Sequence, residues 1–273
     1  MSFDQNLATS GQDAYSPAQV AQRVTSAAIA KGRFSTSQLF TLAALAGAYI
    51  ALGALFYTLV ISESTLGAGP TRLIGGLAFG VGLVLVLIAG AELFTGNSLM
   101  VLPWLDQKIT TTALLRNWFI VYLGNLIGAL MIACFVVLSG VLDTPALSTT
   151  AAKMAQAKLA LSPAEALFRG ILCNMLVCLA VWMSFAAHTV SSKVLVVLLP
   201  IAAFVAVGFE HSVANMYVVP VAMLGGLIEP DLAGFLRNIT LVTIGNVIGG
   251  GVLVAAAYWA VFRTSDAEPR LPD

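Results

Sequence analysis

The chain has 273 residues, of which 59% are hydrophobic and 10% charged, and its formal net charge is zero. This composition excludes an ordinary soluble domain, and the balanced charge gives no electrostatic footprint for a nucleic-acid partner. Several segments run beyond about 18 residues without a charge, the mark of membrane-spanning helices; a β-barrel shows short alternating segments instead. The expected class is an all-α integral membrane protein.

Taken in order, residues 1–38 are expected to precede the first span. Ser16, Pro17 and Gln19 read as a capping box with proline at the first helical position. Val20, Val24 and Ala28 recur at four-residue spacing. The pattern predicts a short amphipathic helix over 17–31, ended by Gly32 and lying at the membrane surface, with residues 1–15 loose. No signal peptide is visible. Spans are expected at 39–61, 73–105, 118–139, 167–187, 194–228 and 239–262, followed by a polar tail over 263–273. Six spans put both ends on one side. Eight of the 13 lysines and arginines then fall on that side, which favours an inside location for both ends. Cys134, Cys173 and Cys178 all lie within spans and are expected to be buried thiols acting as small apolar residues. No metal or cofactor site is expected.

The second and fifth spans are too long. The run over 194–228 would measure roughly 50 Å as one straight helix, against a hydrocarbon core of about 30 Å. Its two ionisable residues, Glu210 and His211, fall near its middle, where such groups mark a pathway for ions, protons or substrate. The second span is interrupted in the same way around Glu92.

These interruptions match. Gly90, Glu92 and Asn97 correspond to Gly208, Glu210 and Asn215, each 118 positions on, while Arg116, Asn117, Gly124, Asn125 and Gly128 correspond to Arg237, Asn238, Gly245, Asn246 and Gly249, each 121 on. Three spans end on the opposite side from where they began, so the second copy is inserted upside down. The expected architecture is two inverted three-span repeats, about 39–141 and 164–262, with broken helices 2 and 5 meeting near the midplane. Irregular backbone at that depth survives only where it is buried in protein or lines a polar cavity.

At four blocks the chain resembles the formate/nitrite transporter family of small-anion channels: residues 87–96 (LIAGAELFTG), 170–180 (GILCNMLVCLA), 208–216 (GFEHSVANM) and 243–251 (TIGNVIGGG). The resemblance covers about 16–262. It implies an aquaporin-like protomer assembled as a homopentamer in a bacterial cytoplasmic membrane, with one pore per protomer. It also implies that Thr95, on a loop entering the pore, faces a central His211, that Lys158 is a vestibule lysine, and that Asn246 is the last-span asparagine. Asn174, in the second block, is expected on the substrate pathway with these four.

The residues carry their own expectations. His211 is expected to donate a hydrogen bond or a proton to the permeating anion. Glu92 and Glu210 would repel an anion, so they are expected to hold the breaks together by accepting from loop backbone N–H groups, with Asn97 and Asn215 beside them. Thr95 is either a turn residue or a ligand. Asn125 and Asn246 bridge spans or reach the pathway. Lys158 either faces water or attracts anions. Leu83, Leu93, Phe94 and Phe209 are constriction candidates, and His188 is interfacial. The expected function is a pathway for small monovalent anions of weak acids, formate first, with nitrite or hydrosulfide as alternatives of the same kind. A neutral-solute channel is the alternative from another class, although Asn-Pro-Ala boxes are absent. A membrane enzyme lacks a nucleophile and base and is not expected.

Overall fold

The computed structural model describes residues 14–263. The expected loose start and the polar tail lie almost wholly outside the described residues. Six helices among the described residues are long and apolar enough to cross a membrane: Thr36–Ile61, Ala68–Gly90, Thr111–Leu138, Pro163–Ser184, Val190–Val207 and Leu232–Phe262.

The helix starts follow from side-chain caps rather than from hydropathy. α1 (Pro17–Gly32), α2 (Thr36–Ile61) and α7 (Pro163–Ser184) each open with a full capping box, on Ser16, Ser35 and Ser162. Thr110, Thr189 and Asp231 cap α5 (Thr111–Leu138), α8 (Val190–Val207) and α10 (Leu232–Val247). These five spans therefore begin three to seven residues before the apolar runs that signal them, because hydropathy marks only the turns in hydrocarbon.

α3 (Ala68–Leu85) continues as a π-helical turn, Val86–Gly90, and stops where Gly90 turns left-handed at φ 84°. The chain then runs extended into a 3-10 turn, Gly96–Met100, and the short α4 (Val101–Leu105). The fifth span repeats this, with α8 ending at Gly208 (φ 87°) and α9 (Ser212–Leu224) starting afterwards. Both breaks fall at glycines because only glycine takes positive φ without strain. The last span runs on from α10 through a long π-helical stretch, Ile248–Ala256, into α11 (Ala257–Phe262).

Two helix pairs cross backbone to backbone. A Cβ at Gly47 or Gly128 would run into the carbonyl of Asn125 or Ala44, so α2 and α5 meet there; Gly245 and Gly249 meet the carbonyls of Leu167 and Ile171 on α7 in the same way. The α2–α5 crossing is the repeat counterpart of the α7–α10 crossing. Tyr122 on α5 and Thr243 on α10 hold equivalent places in the two halves, and their hydroxyls meet at 3.1 Å.

Two elements widen the repeat beyond its expected limits. α6 (Pro145–Leu159), which hydropathy misses, packs Leu147, Ala151 and Ala155 against α9, α2 and α10. α1 packs against α4, α5, α7 and the Gly96–Met100 turn, which are the counterparts of those same elements. Its Val20, Ala21, Val24, Thr25 and Ala28 are buried. The apolar face of α1 thus covers protein, where a surface helix resting on lipid was expected. α1 also packs on α11, and the Tyr15 N–H donates to the Ala186 carbonyl (3.0 Å). The His188 ring is exposed and stacks on Tyr15 with centroids 4.1 Å apart. The two described ends therefore share one face, here the terminal face, and α6 lies on the opposite, far face.

Candidate functional site

The site is built from the two breaks. Each leaves backbone groups without helical partners in the interior, where an unpaired group is costly. Asn125 answers the first break: its Oδ1 accepts from the Phe94 N–H (2.9 Å), and its Nδ2 donates to the carbonyls of Ala43 (2.7 Å) and Glu92 (2.9 Å). Asn246 answers the second in the same pattern. Its Oδ1 accepts from the Ser212 N–H (2.9 Å), and its Nδ2 donates to Gly170 (2.8 Å) and Glu210 (2.9 Å). The Glu92 and Glu210 N–H groups complete each join, donating to the carbonyls of Leu42 and Arg169 at 3.2 Å.

Behind each break lies a buried ionic cluster. The Lys31 Nζ is 3.0 Å from Glu92 Oε1 and donates to Asn97 Oδ1 at 2.7 Å. The Asn97 amide donates to Glu92 Oε2 (2.8 Å) and to Asn117 (2.9 Å). In the other half, Lys158 Nζ reaches both Glu210 oxygens at 3.1 and 3.0 Å, and the Asn215 amide donates to Glu210 Oε2 (2.7 Å) and Asn238 (2.8 Å). Lys31 and Lys158 are 127 positions apart, as are Ala43 and Gly170, so α1 and α6 supply equivalent lysines. The glutamates take lysine and asparagine side chains as partners, where the sequence suggested loop N–H groups.

Between the breaks are two cavities with no lining residue in common. The terminal-face cavity, about 70 Å³, is lined by Lys31, Leu83, Leu93 and Asn97 among others. The far-face cavity, about 210 Å³, is lined by Tyr57, Phe79, Lys158, Phe204, Phe209 and His211 among others. Beyond it the mouth is flanked by Arg72 and Arg169. The layer between them is apolar. Phe79 and Phe204 meet edge to face at 5.6 Å, and Phe204 lies 6.0 Å from the His211 ring.

That layer contains one polar pair. Thr95 Oγ1 and His211 Nε2 are 3.1 Å apart, both residues buried. The Ala214 N–H donates to His211 Nδ1 (3.1 Å). An acceptor at Nδ1 places the proton of the neutral ring on Nε2, aimed at Thr95. The pair arises where the repeat diverges. Over 92–97 and 210–215 the glutamate and asparagine ends agree, but Leu93, Phe94 and Thr95 stand opposite His211, Ser212 and Val213.

Several expected pathway residues lie elsewhere. Asn246 lines neither cavity, because its amide is wholly engaged by the break and α7. Asn174 is likewise buried behind the wall, donating to the Thr95 carbonyl (3.2 Å), Ser98 (3.1 Å) and the Asn246 carbonyl (2.6 Å). Phe94 packs its ring on Trp118 and Tyr122, away from both cavities. Leu83, Leu93 and Phe209 do line a cavity. Cys173 and Cys178 are buried, but Cys134 is exposed on the outer side of α5. Lys31, Phe79 and Phe204 are missing from the sequence reading. Phe79 precedes Leu83 by one helical turn and shares its face, but in a span apolar on every side that spacing marks no pore-facing ring.

The family model described as formate/nitrite transporter matches residues 18–260. The chain belongs to this family. Membership places it among transport proteins and not enzymes. A probable formate transporter of Methanothermobacter thermautotrophicus is 38% identical over 272 residues, covering 92% of this chain and 98% of that protein. A solved structure described as a pentameric formate channel with formate bound is 35% identical, covering 84% of this chain and 98% of the other, with a TM-score of 0.76. A second, described as an ion channel of the same family, superposes with a TM-score of 0.83 at 31% identity, covering 89% and 98%.

Proposed function

We propose that the chain is a channel for small monovalent anions of weak acids, with formate the preferred substrate. It works as a homopentamer with one pore per protomer, in a bacterial cytoplasmic membrane with the terminal face inside. The names of its relatives support formate, and the pentameric relative supports the assembly. The pore domain runs over 39–262, and α1 packs against it.

The observation that carries the mechanism is the Thr95–His211 pair set alone in an apolar layer between two lysine-headed cavities. An anion gathers beside Lys158 or Lys31, where the fixed charge raises its local concentration. Crossing the layer of Leu83, Leu93, Phe79 and Phe204 as a bare ion costs many kcal/mol. A proton from vestibule water removes most of that cost, so the species that crosses is the neutral acid. With its proton on Nε2, His211 acts as a hydrogen-bond donor to the passing oxygen, and Thr95 serves as its partner between passages.

The test is stopped-flow uptake into proteoliposomes with formate, nitrite and glycerol at acid and neutral pH. Formate uptake is expected to rise as pH falls, tracking the protonated fraction, which grows about tenfold per pH unit above the acid's own pKa. Glycerol is expected to stay out. Glycerol entry without anion uptake would overturn the reading, and a formate flux indifferent to pH would remove the proton from it.

A further inference from the structure

A third cavity, about 390 Å³, opens on the terminal face and shares no residue with the two pore cavities. Its walls come from three separate places: α1 through Gln22 and Ser26, the α4–α5 turn through Asp106 and Lys108, and α11 through Trp259 and Arg263. Nothing in the transport reading uses it.

Its walls are held in place from behind. The Trp259 indole N–H donates to Asp106 Oδ1 (2.6 Å), which ties α11 to the α4–α5 turn. Tyr258 stacks on Trp182 at 4.2 Å and 9°. The second Asp106 oxygen accepts from Lys108 Nζ at 3.0 Å. Both carboxylate oxygens are thus engaged, and the acid does not stand bare against an incoming anion. Lys108 keeps two further N–H donors, with its side chain 48% exposed. The Arg263 guanidinium lies 4.4 Å over the Trp259 ring. A guanidinium held over a ring by its charge keeps its N–H donors for other partners.

The chemistry therefore pairs two cationic donor groups with a fixed aromatic wall at the end of the last membrane span. Beside it, the same span turns Val252, Leu253 and Val261 outward, the last 63% exposed. An occupant that meets both surfaces carries a phosphate for the cations and an apolar part that continues along these outward side chains. Basic and aromatic residues at a membrane interface recognise such headgroups. We propose that this cavity binds the headgroup of an anionic phospholipid and so fastens α1 and α11 to the membrane. A free phosphate would satisfy the cations but would make no use of the apolar side of the last span.

The test uses the full-length protein purified in detergent. Its thermal stability and its retention of lipid by native mass spectrometry are followed as phosphatidylglycerol or phosphatidylcholine is added. Phosphatidylglycerol is expected to be retained and to stabilise, and phosphatidylcholine to do neither. Lys108→Gln and Arg263→Gln should each weaken phosphatidylglycerol binding roughly 5-fold, and together roughly 30-fold, with the lipid-free stability and formate uptake unchanged. Trp259→Leu, which keeps both cations but removes the stacking surface and the Asp106 tie, should also weaken it. Equal retention in the doubly substituted protein overturns the proposal. So does stabilisation by inorganic phosphate or ATP that exceeds that by phosphatidylglycerol, which would make this a site for a soluble ligand.

Discussion

Replacing Lys158 by methionine isolates one buried charge. Glu210 has a side chain 6% exposed, and both of its oxygens lie within 3.1 Å of an ammonium whose own side chain is 16% exposed. Without the lysine, the carboxylate keeps only the Asn215 amide at 2.7 Å. Stranding one partner of a buried pair costs roughly 3–5 kcal/mol, and the surviving charge-assisted bond puts Lys158→Met near the lower end, about 3 kcal/mol. Glu210→Gln should cost about 1 kcal/mol, because the amide oxygen can still accept from Asn215 and the lysine can reach water in the far-face cavity. In the double variant no charge is stranded, so its cost should return to that of Glu210→Gln and expose a coupling of about 3 kcal/mol. The assay is thermal unfolding of the purified protein, where about 3 kcal/mol corresponds to roughly 6–12 °C. Lys31→Met should lose about half as much, since that side chain is 29% exposed and water can take over part of its role. Additive losses in the double variant, or a Lys158→Met protein as stable as the parent, would refute the reasoning. If the double variant recovers stability but still takes up formate poorly at low concentration, the lysine also concentrates anions.

Three further outcomes follow from the geometry. Thr95→Val removes the hydroxyl beside His211 Nε2 and should lower formate uptake about tenfold, while Thr95→Ser keeps most of it; equal uptake in all three proteins would take the pair out of the pathway. Phe204→Ala, which opens the ring contact with Phe79, should admit larger weak acids such as lactate in a swelling assay, at a stability cost of about 3 kcal/mol. Gly249→Ala drives a Cβ into the Ile171 carbonyl, where backbone on both helices leaves no room to yield. It should cost several kcal/mol and sharply reduce folded protein, whereas Gly67→Ala, with nothing within 4 Å, should be close to neutral in the same expression assay.

The six spans were legible because long charge-free runs have no other stable home. The matched Glu92 and Glu210, each with an asparagine five residues on, were legible because both halves solve the same problem of a carboxylate at depth. The partner lysines were not. Lys31 and Lys158 lie outside the matching blocks, and only the placement of α1 and α6 shows that they are equivalent. α6 itself is too rich in alanine and threonine to stand out by hydropathy. Phe79 and Phe204 sit in spans apolar on every side, so no periodicity separates a pore-facing ring from one packed against a neighbour. Asn174 and Asn246 are expected on the pathway because the family blocks contain them. Their buried amides instead serve backbone and side-chain groups around the breaks, a need that appears only once the breaks have been located.

The contact between Tyr122 and Thr243 has a geometric consequence. Residues exchanged by a two-fold rotation can meet only close to its axis, and these are such a pair, with their hydroxyls 3.1 Å apart. Their contact therefore lies beside the axis that relates the two halves. About this axis, the places held by Leu93 and His211, which the rotation exchanges, fall at equal depths on opposite sides. The single imidazole therefore sits off centre, toward the far face, although the scaffold that carries it is even about the middle.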